Sequence, residues 1–204
     1  MSSSVRLDPE SQAPLDQLLQ FLPGGFNAVP DIVARRATVE QMLAAMPAPE
    51  NPNVVTQDRT VPGPEGEPDI SVRIYRPVGL DGPLPGIYFI HGGGMVLGTV
   101  AGEDATATLV CDEVKAVVVS VEYRLAPEHP HPAPVEDCYA GLTWVATNAA
   151  DLGIDPDRLA IYGGSAGGGL TLGTALLARD RGGPSLCFMM PIYPMIDDTN
   201  TTAS

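Results

Sequence analysis

The spacing of apolar positions changes near residue 53. Before it, Leu15, Leu18, Leu19 and Leu22, and then Val39, Met42, Leu43 and Met46, recur at the steps that place side chains on one helix face. Residues 8–46 therefore read as two helices, the first with Asp8 as N-cap and Pro9 at its first position. "PAPENPN" at 47–53 breaks the period and reads as a linker. Beyond it "DISVRIYRP" (69–77) alternates like a half-buried strand. "PGIYFI" (85–90), "AVVVSVE" (116–122), "RLAIYG" (158–163) and "SLCFMMPIY" (185–193) are short apolar runs that predict strands. Residues 103–114, 134–150 and 166–181, between these runs, read as helices. Strand followed by helix, repeated, predicts an α/β fold with a mostly parallel sheet and helices on both faces. The chain divides into an N-terminal helical segment with its linker, 1–50, and an α/β core, 51–204; no internal repeat is apparent.

Composition narrows the class. The 204 residues suffice for one domain of ordinary size, and 22 Gly and 21 Pro are too dispersed for a low-complexity chain. A net charge of −14 opposes any electrostatic grip on nucleic acid or anionic lipid. Cys111, Cys138 and Cys187 are odd in number and have no metal-ligand spacing, which suits a reduced, intracellular setting. There is no apolar leader in "MSSSVRLDPE" and no run long enough to span a bilayer, so a soluble, cytoplasmic protein is expected.

The candidate chemistry lies in two glycine-rich stretches. "RLAIYGGSAGGGLTL" carries Gly163, Gly164, Ser165, Ala166 and Gly167 between an apolar strand and a helix, the G-x-S-x-G turn that lifts a serine above the carboxyl edge of a sheet. Such a turn needs glycines because the serine sits in an unfavourable backbone conformation between crossing elements. The other reading of such a turn, a phosphate cradle, fails, since neither the dinucleotide fingerprint nor the P-loop spacing fits here. Earlier in the chain, "IYFIHGGGMVLG" places His91, Gly92, Gly93 and Gly94 after another strand. Amides without side chains can approach the oxyanion of a tetrahedral intermediate closely.

These stretches, together with "VEYRLAPEHPHPAP" (121–134) and "PIYPMIDD" (191–198), resemble the hormone-sensitive-lipase-like esterases of the α/β-hydrolase superfamily over essentially the whole length. The resemblance implies an α/β-hydrolase fold with an N-terminal helical cap that closes over the acyl side. It also implies a carboxylic-ester hydrolase acting on small esters of short to medium acyl length, with Ser165 as nucleophile. The amides of Gly93, Gly94 and Ala166 form the oxyanion hole, Gly92 shapes the loop and His91 holds it. No cofactor or metal is implied, and the oligomeric state is left open. One departure is visible: Gly164 stands where the family usually has Asp or Thr.

A serine hydrolase also needs a histidine base oriented by a carboxylate, in the chain order Ser, acid, His. No histidine follows Ser165; His91, His129 and His131 all precede it. The resemblance implies that the acid and base lie on roughly one hundred further residues, and that the closing strands and helices are missing here. Asp197 and Asp198 follow the last strand, where some hydrolases draw the acid, but "PMIDD" reads as a structural turn. His129 and His131 lack the additional ligands of a zinc site and read as part of a proline-fixed loop, while Asp137 reads as a helix-face charge or loop anchor. Two alternatives to the esterase remain: a non-catalytic, receptor-like small-molecule binder of the same fold, as among gibberellin receptors, and an inactive truncated product.

Overall fold

A computed structural model describes residues 8–25, 28–44, 51–199 and 201, and the chain divides into two compact units after residue 47. The first unit holds α1 (Pro9–Phe21) and α2 (Ile32–Ala44). Asp8 caps α1 by accepting from the Glu10 amide at 2.8 Å, and Asp31 receives the Ala34 amide at 2.7 Å at the start of α2. Met46 and residues 47–50 of the expected linker lie outside the described residues.

The second unit contains β1 (Val54–Val61), β2 (Ile70–Pro77), β3 (Leu84–Ile90), α3 (Asp104–Val114), β4 (Val117–Glu122), α4 (Ala133–Thr147), β5 (Ile154–Gly164), α5 (Ala166–Asp180) and β6 (Phe188–Ile192). Its six strands form one sheet in the order β1-β2-β4-β3-β5-β6. β3, β4, β5 and β6 run parallel, whereas β1 pairs antiparallel with β2 and β2 antiparallel with β4. The sheet is thus mostly parallel, as expected, and mixed only in that β2 runs against the other five strands.

Side-chain alternation along β4 divides the core. Val117, Val119 and Val121 join the larger apolar cluster with Cys138, Leu142 and Val145 of α4 and Leu170 of α5. Val118 faces the opposite cluster, with Tyr75, Phe89 and Ala107 and Cys111 of α3. Helices thus cover both faces, and β4, in the middle of the order, is apolar on both sides because both are packed. The start of α3 is tied to β2 through Asp104, which accepts from Tyr75 Oη at 2.5 Å and Arg73 Nη1 at 2.7 Å.

β1 was not legible as a strand. Six of its eight residues are exposed in mid-strand, so "VVTQDRTV" has no apolar alternation to read. At the other end of the sheet β6 pairs only with β5 among the described strands. The apolar pattern that predicts a buried strand is there, yet Phe188, Met189 and Met190 are 59%, 48% and 45% exposed.

Candidate active site

β5 delivers the chain to Ser165 and α5 carries it away. Ser165 has φ 56° and ψ −118°, a conformation that costs an L-residue on the order of 1–3 kcal/mol and persists only where neighbours enforce it. The neighbours are visible. The Ser165 amide donates to the Ile192 carbonyl at 2.9 Å, and its own carbonyl accepts from the Met195 amide at 3.0 Å. The segment leaving β6 therefore grips the turn from both sides of one residue. The crossing is too close for side chains: a Cβ on Gly163 would run into the Gly167 carbonyl, and one on Gly167 into the carbonyls of Ile90 and His91. At Gly164, by contrast, a Cβ would meet the Tyr193 ring only at ordinary contact distance.

The loop after β3 lies against this turn. A Cβ on Gly92 would stand 3.1 Å from the Gly164 carbonyl oxygen and 3.7 Å from Ser165 Cβ. Gly93 and Gly94 take φ of 120° and 65°, and the Gly93 carbonyl closes the loop by accepting from Leu97 at 2.8 Å and Val96 at 3.2 Å. Among the described residues no acceptor is found for the amides of Gly93, Gly94 or Ala166. Ala166 opens α5, whose first-turn amides have no intrahelical partner and carry the positive end of the helix dipole. Half-buried Ser165 thus stands between two sources of unengaged N–H groups, an arrangement suited to stabilising negative charge on an oxygen bonded to a carbon under attack.

His91 is 1% exposed and does not reach Ser165 by any hydrogen bond. Its Nδ1 lies 2.8 Å from the Gly92 carbonyl, which can only accept, so Nδ1 carries the proton. The ring stacks on Tyr123 with centroids 4.2 Å apart, and Tyr123 Oη donates to the His91 carbonyl at 3.0 Å. Burial, opposed by the Gly92 bond, lowers its pKa to about 4. The ring is neutral at pH 7, so the 3.8 Å separation between Nε2 and Glu122 Oε1 is not an ion pair there. Glu122 Oε2 accepts from the Val100 amide at 2.8 Å, fastening the far end of the same loop. Glu122 and Tyr123 lie in a stretch notable in the sequence, but nothing in their spacing foretold these contacts.

Asp137, fully buried, receives Arg124 Nη2 at 2.7 Å, Arg124 Nε at 2.9 Å and the Arg124 amide at 2.9 Å, so it anchors the loop after β4. His129 and His131 are exposed in that loop, and no cluster of ligating side chains suited to a metal is found among the described residues. Asp197 is exposed and accepts from the Thr199 amide at 2.9 Å and hydroxyl at 2.7 Å, as in a turn. No histidine hydrogen-bonds the Ser165 hydroxyl. Among the described residues no helix is long and apolar enough to cross a membrane.

Residues 87–204 match the alpha/beta hydrolase fold family. Over 186 residues the chain is 42% identical to carboxylesterase NlhH of Mycobacterium tuberculosis, a match covering 91% of this chain and 57% of that protein. It is 43% identical over 203 residues to the carboxylic ester hydrolase LipN of the same species, covering 97% of this chain and 53% of that one. A solved bacterial heroin esterase superposes with a TM-score of 0.86 at 40% identity, covering 96% of this chain and 60% of that one. The chain thus spans a little over half the length of the curated relatives it matches.

Proposed function

Since the chain belongs to the α/β-hydrolase family, we propose that it carries the nucleophile half of a carboxylic-ester hydrolase active site. Ser165 attacks the acyl carbon of a small ester, and the Gly93, Gly94 and Ala166 amides receive the charge that develops on the carbonyl oxygen. Collapse of the tetrahedral intermediate expels the alcohol and leaves an acyl-serine, which water hydrolyses to the acid. His91 keeps the loop in place through Gly92 and takes no proton from Ser165, because its ring is buried, neutral and engaged elsewhere. The base and its orienting carboxylate come from chain not contained in these 204 residues, consistent with the order of triad residues in this fold. The substrates are esters of short to medium acyl length, and the setting is cytoplasmic.

The observation that carries this reading is the positive φ of Ser165 at the crossing of β5 and α5, beside amides for which no acceptor is found among the described residues. The test uses a protein of the relatives' length that contains these residues. Ser165→Ala should abolish hydrolysis of 4-nitrophenyl acetate with an unchanged circular-dichroism spectrum, and retained turnover would overturn the assignment. The 204-residue chain itself should be slower than that protein by several orders of magnitude, because oxyanion assistance and binding alone remain.

A further inference from the structure

We propose that Tyr123 is a positioning residue of the loop after β3, aiming the Gly93 amide at the acyl oxygen through the ring of His91. The proposal rests on the Ser165 reading above and names the device that orients one of its oxyanion donors. β3 and β4 run parallel with Ile90 level with Val121, so the two strands end together and release His91 and Tyr123 side by side. Both side chains are buried, and their rings stack with planes 14° apart.

Tyr123 fixes two consecutive peptide planes. Its Oη donates to the His91 carbonyl at 3.0 Å, which sets the His91–Gly92 plane directly. Its ring sets the plane of the imidazole, whose Nδ1–H donates to the Gly92 carbonyl at 2.8 Å and so sets the Gly92–Gly93 plane. Both peptides are trans, and in a trans peptide the N–H points opposite to the carbonyl. With the Gly92 carbonyl drawn toward the buried imidazole, the Gly93 N–H is turned away from that ring. No acceptor for it is found among the described residues, so it is free to meet an oxygen of the substrate. The two planes meet at Gly92, where a Cβ would stand 3.7 Å from Ser165 Cβ, so they are set beside the nucleophile. The returning end of the loop closes over the same bond: a Cβ on Gly98 would run into the Gly92 carbonyl and stand 2.7 Å from His91 Nδ1. Core packing does not call for the Tyr123 hydroxyl, since a phenylalanine fills the same space; the His91 carbonyl does.

The test uses a protein of the relatives' length that contains these residues, with 4-nitrophenyl acetate as substrate. Tyr123→Leu, checked for folding by circular dichroism, removes both ring and hydroxyl. It should lower kcat by about ten- to a hundredfold and leave KM within about twofold, because a misdirected oxyanion donor is felt in the transition state alone. Tyr123→Phe keeps the stacking and should lose less than about fivefold in kcat. Nitrogen-15 NMR of the parent gives a readout that needs neither turnover nor a variant: at pH 7 His91 should carry its proton on Nδ1 and none on Nε2. In Tyr123→Leu the two tautomers should mix. An unchanged kcat in folded Tyr123→Leu, a loss confined to KM, a Tyr123→Phe protein as slow as Tyr123→Leu, or a parent His91 protonated on Nε2 would each overturn the proposal. Turnover retained in Ser165→Ala would overturn the Ser165 reading and this proposal with it, whereas an inert Ser165→Ala beside an unimpaired Tyr123→Leu would overturn this proposal alone.

Discussion

Neighbouring glycines of the loop after β3 have different tolerances, which separates shape from chemistry at single residues. A Cβ on Gly93 would run into the Leu97 carbonyl, while one on Gly94 finds only Val96 Cγ2, 3.7 Å away. In a protein of the relatives' length, Gly93→Ala should lower kcat by about one to three orders of magnitude, the loss seen when one oxyanion donor is displaced. Gly94→Ala meets only the cost of a left-handed alanine, about 1 kcal/mol, and should cost less than about tenfold in kcat. An unchanged kcat in Gly93→Ala would show that the loop does not face the acyl oxygen. His91 gives a second check. Its folded pKa of about 4 lies below the unfolded value of about 6.5, so the unfolded chain takes up a proton that the folded one refuses. Stability is therefore retained above about pH 6.5 and lost as pH falls toward 4, by roughly 3 kcal/mol in all from this group. A His91 ring resonance that titrates near pH 6.5 would contradict the buried, stacked position.

Among the elements, the loop between β4 and α4 depends on one buried acid. Asp137 is inaccessible and three Arg124 nitrogens converge on it. Asp137→Ala removes the buried partner of Arg124, a class of change that costs about 3–5 kcal/mol, and urea unfolding should show a loss of that size. A loss below about 1 kcal/mol would mean that Glu67 alone holds Arg124. Elements of this kind were legible where their residues do one thing. β3, β4 and β5 are apolar because both faces of the sheet are packed, and the glycines around Ser165 are glycines because two backbones cross there. β1 escaped because an exposed edge strand obeys no alternation. The contacts of Glu122 and Tyr123 with the loop after β3 escaped because residues adjacent in sequence reach opposite ends of one loop only after β3 and β4 have paired. The antiparallel sense of β2 escaped for a related reason, since pairing direction leaves no mark in a strand's own residues.

Across the whole molecule, a charge of −14 is set against an open apolar edge. β6 and the residues after it expose Phe188, Met189, Met190, Tyr193, Met195 and Ile196, a contiguous sequence of the kind that draws other strands or chains onto it. The 204-residue chain should therefore bind hydrophobic dyes and elute as associated species. Association should grow with added salt, because screening weakens the repulsion between acidic copies and leaves the apolar attraction. Met190→Lys should reduce it, and a monomeric, dye-silent parent chain would rule the edge out as its cause. The same edge also supplies the grip on Ser165 through Ile192 and Met195. The strained turn is therefore only as durable as an exposed edge strand of the sheet, and its lifetime is set by local opening rather than by global unfolding. Deuterium uptake at the Ser165 amide should keep pace with β6 and run well ahead of β4; a rate as slow as that of β4 would mean that α5 alone maintains the turn.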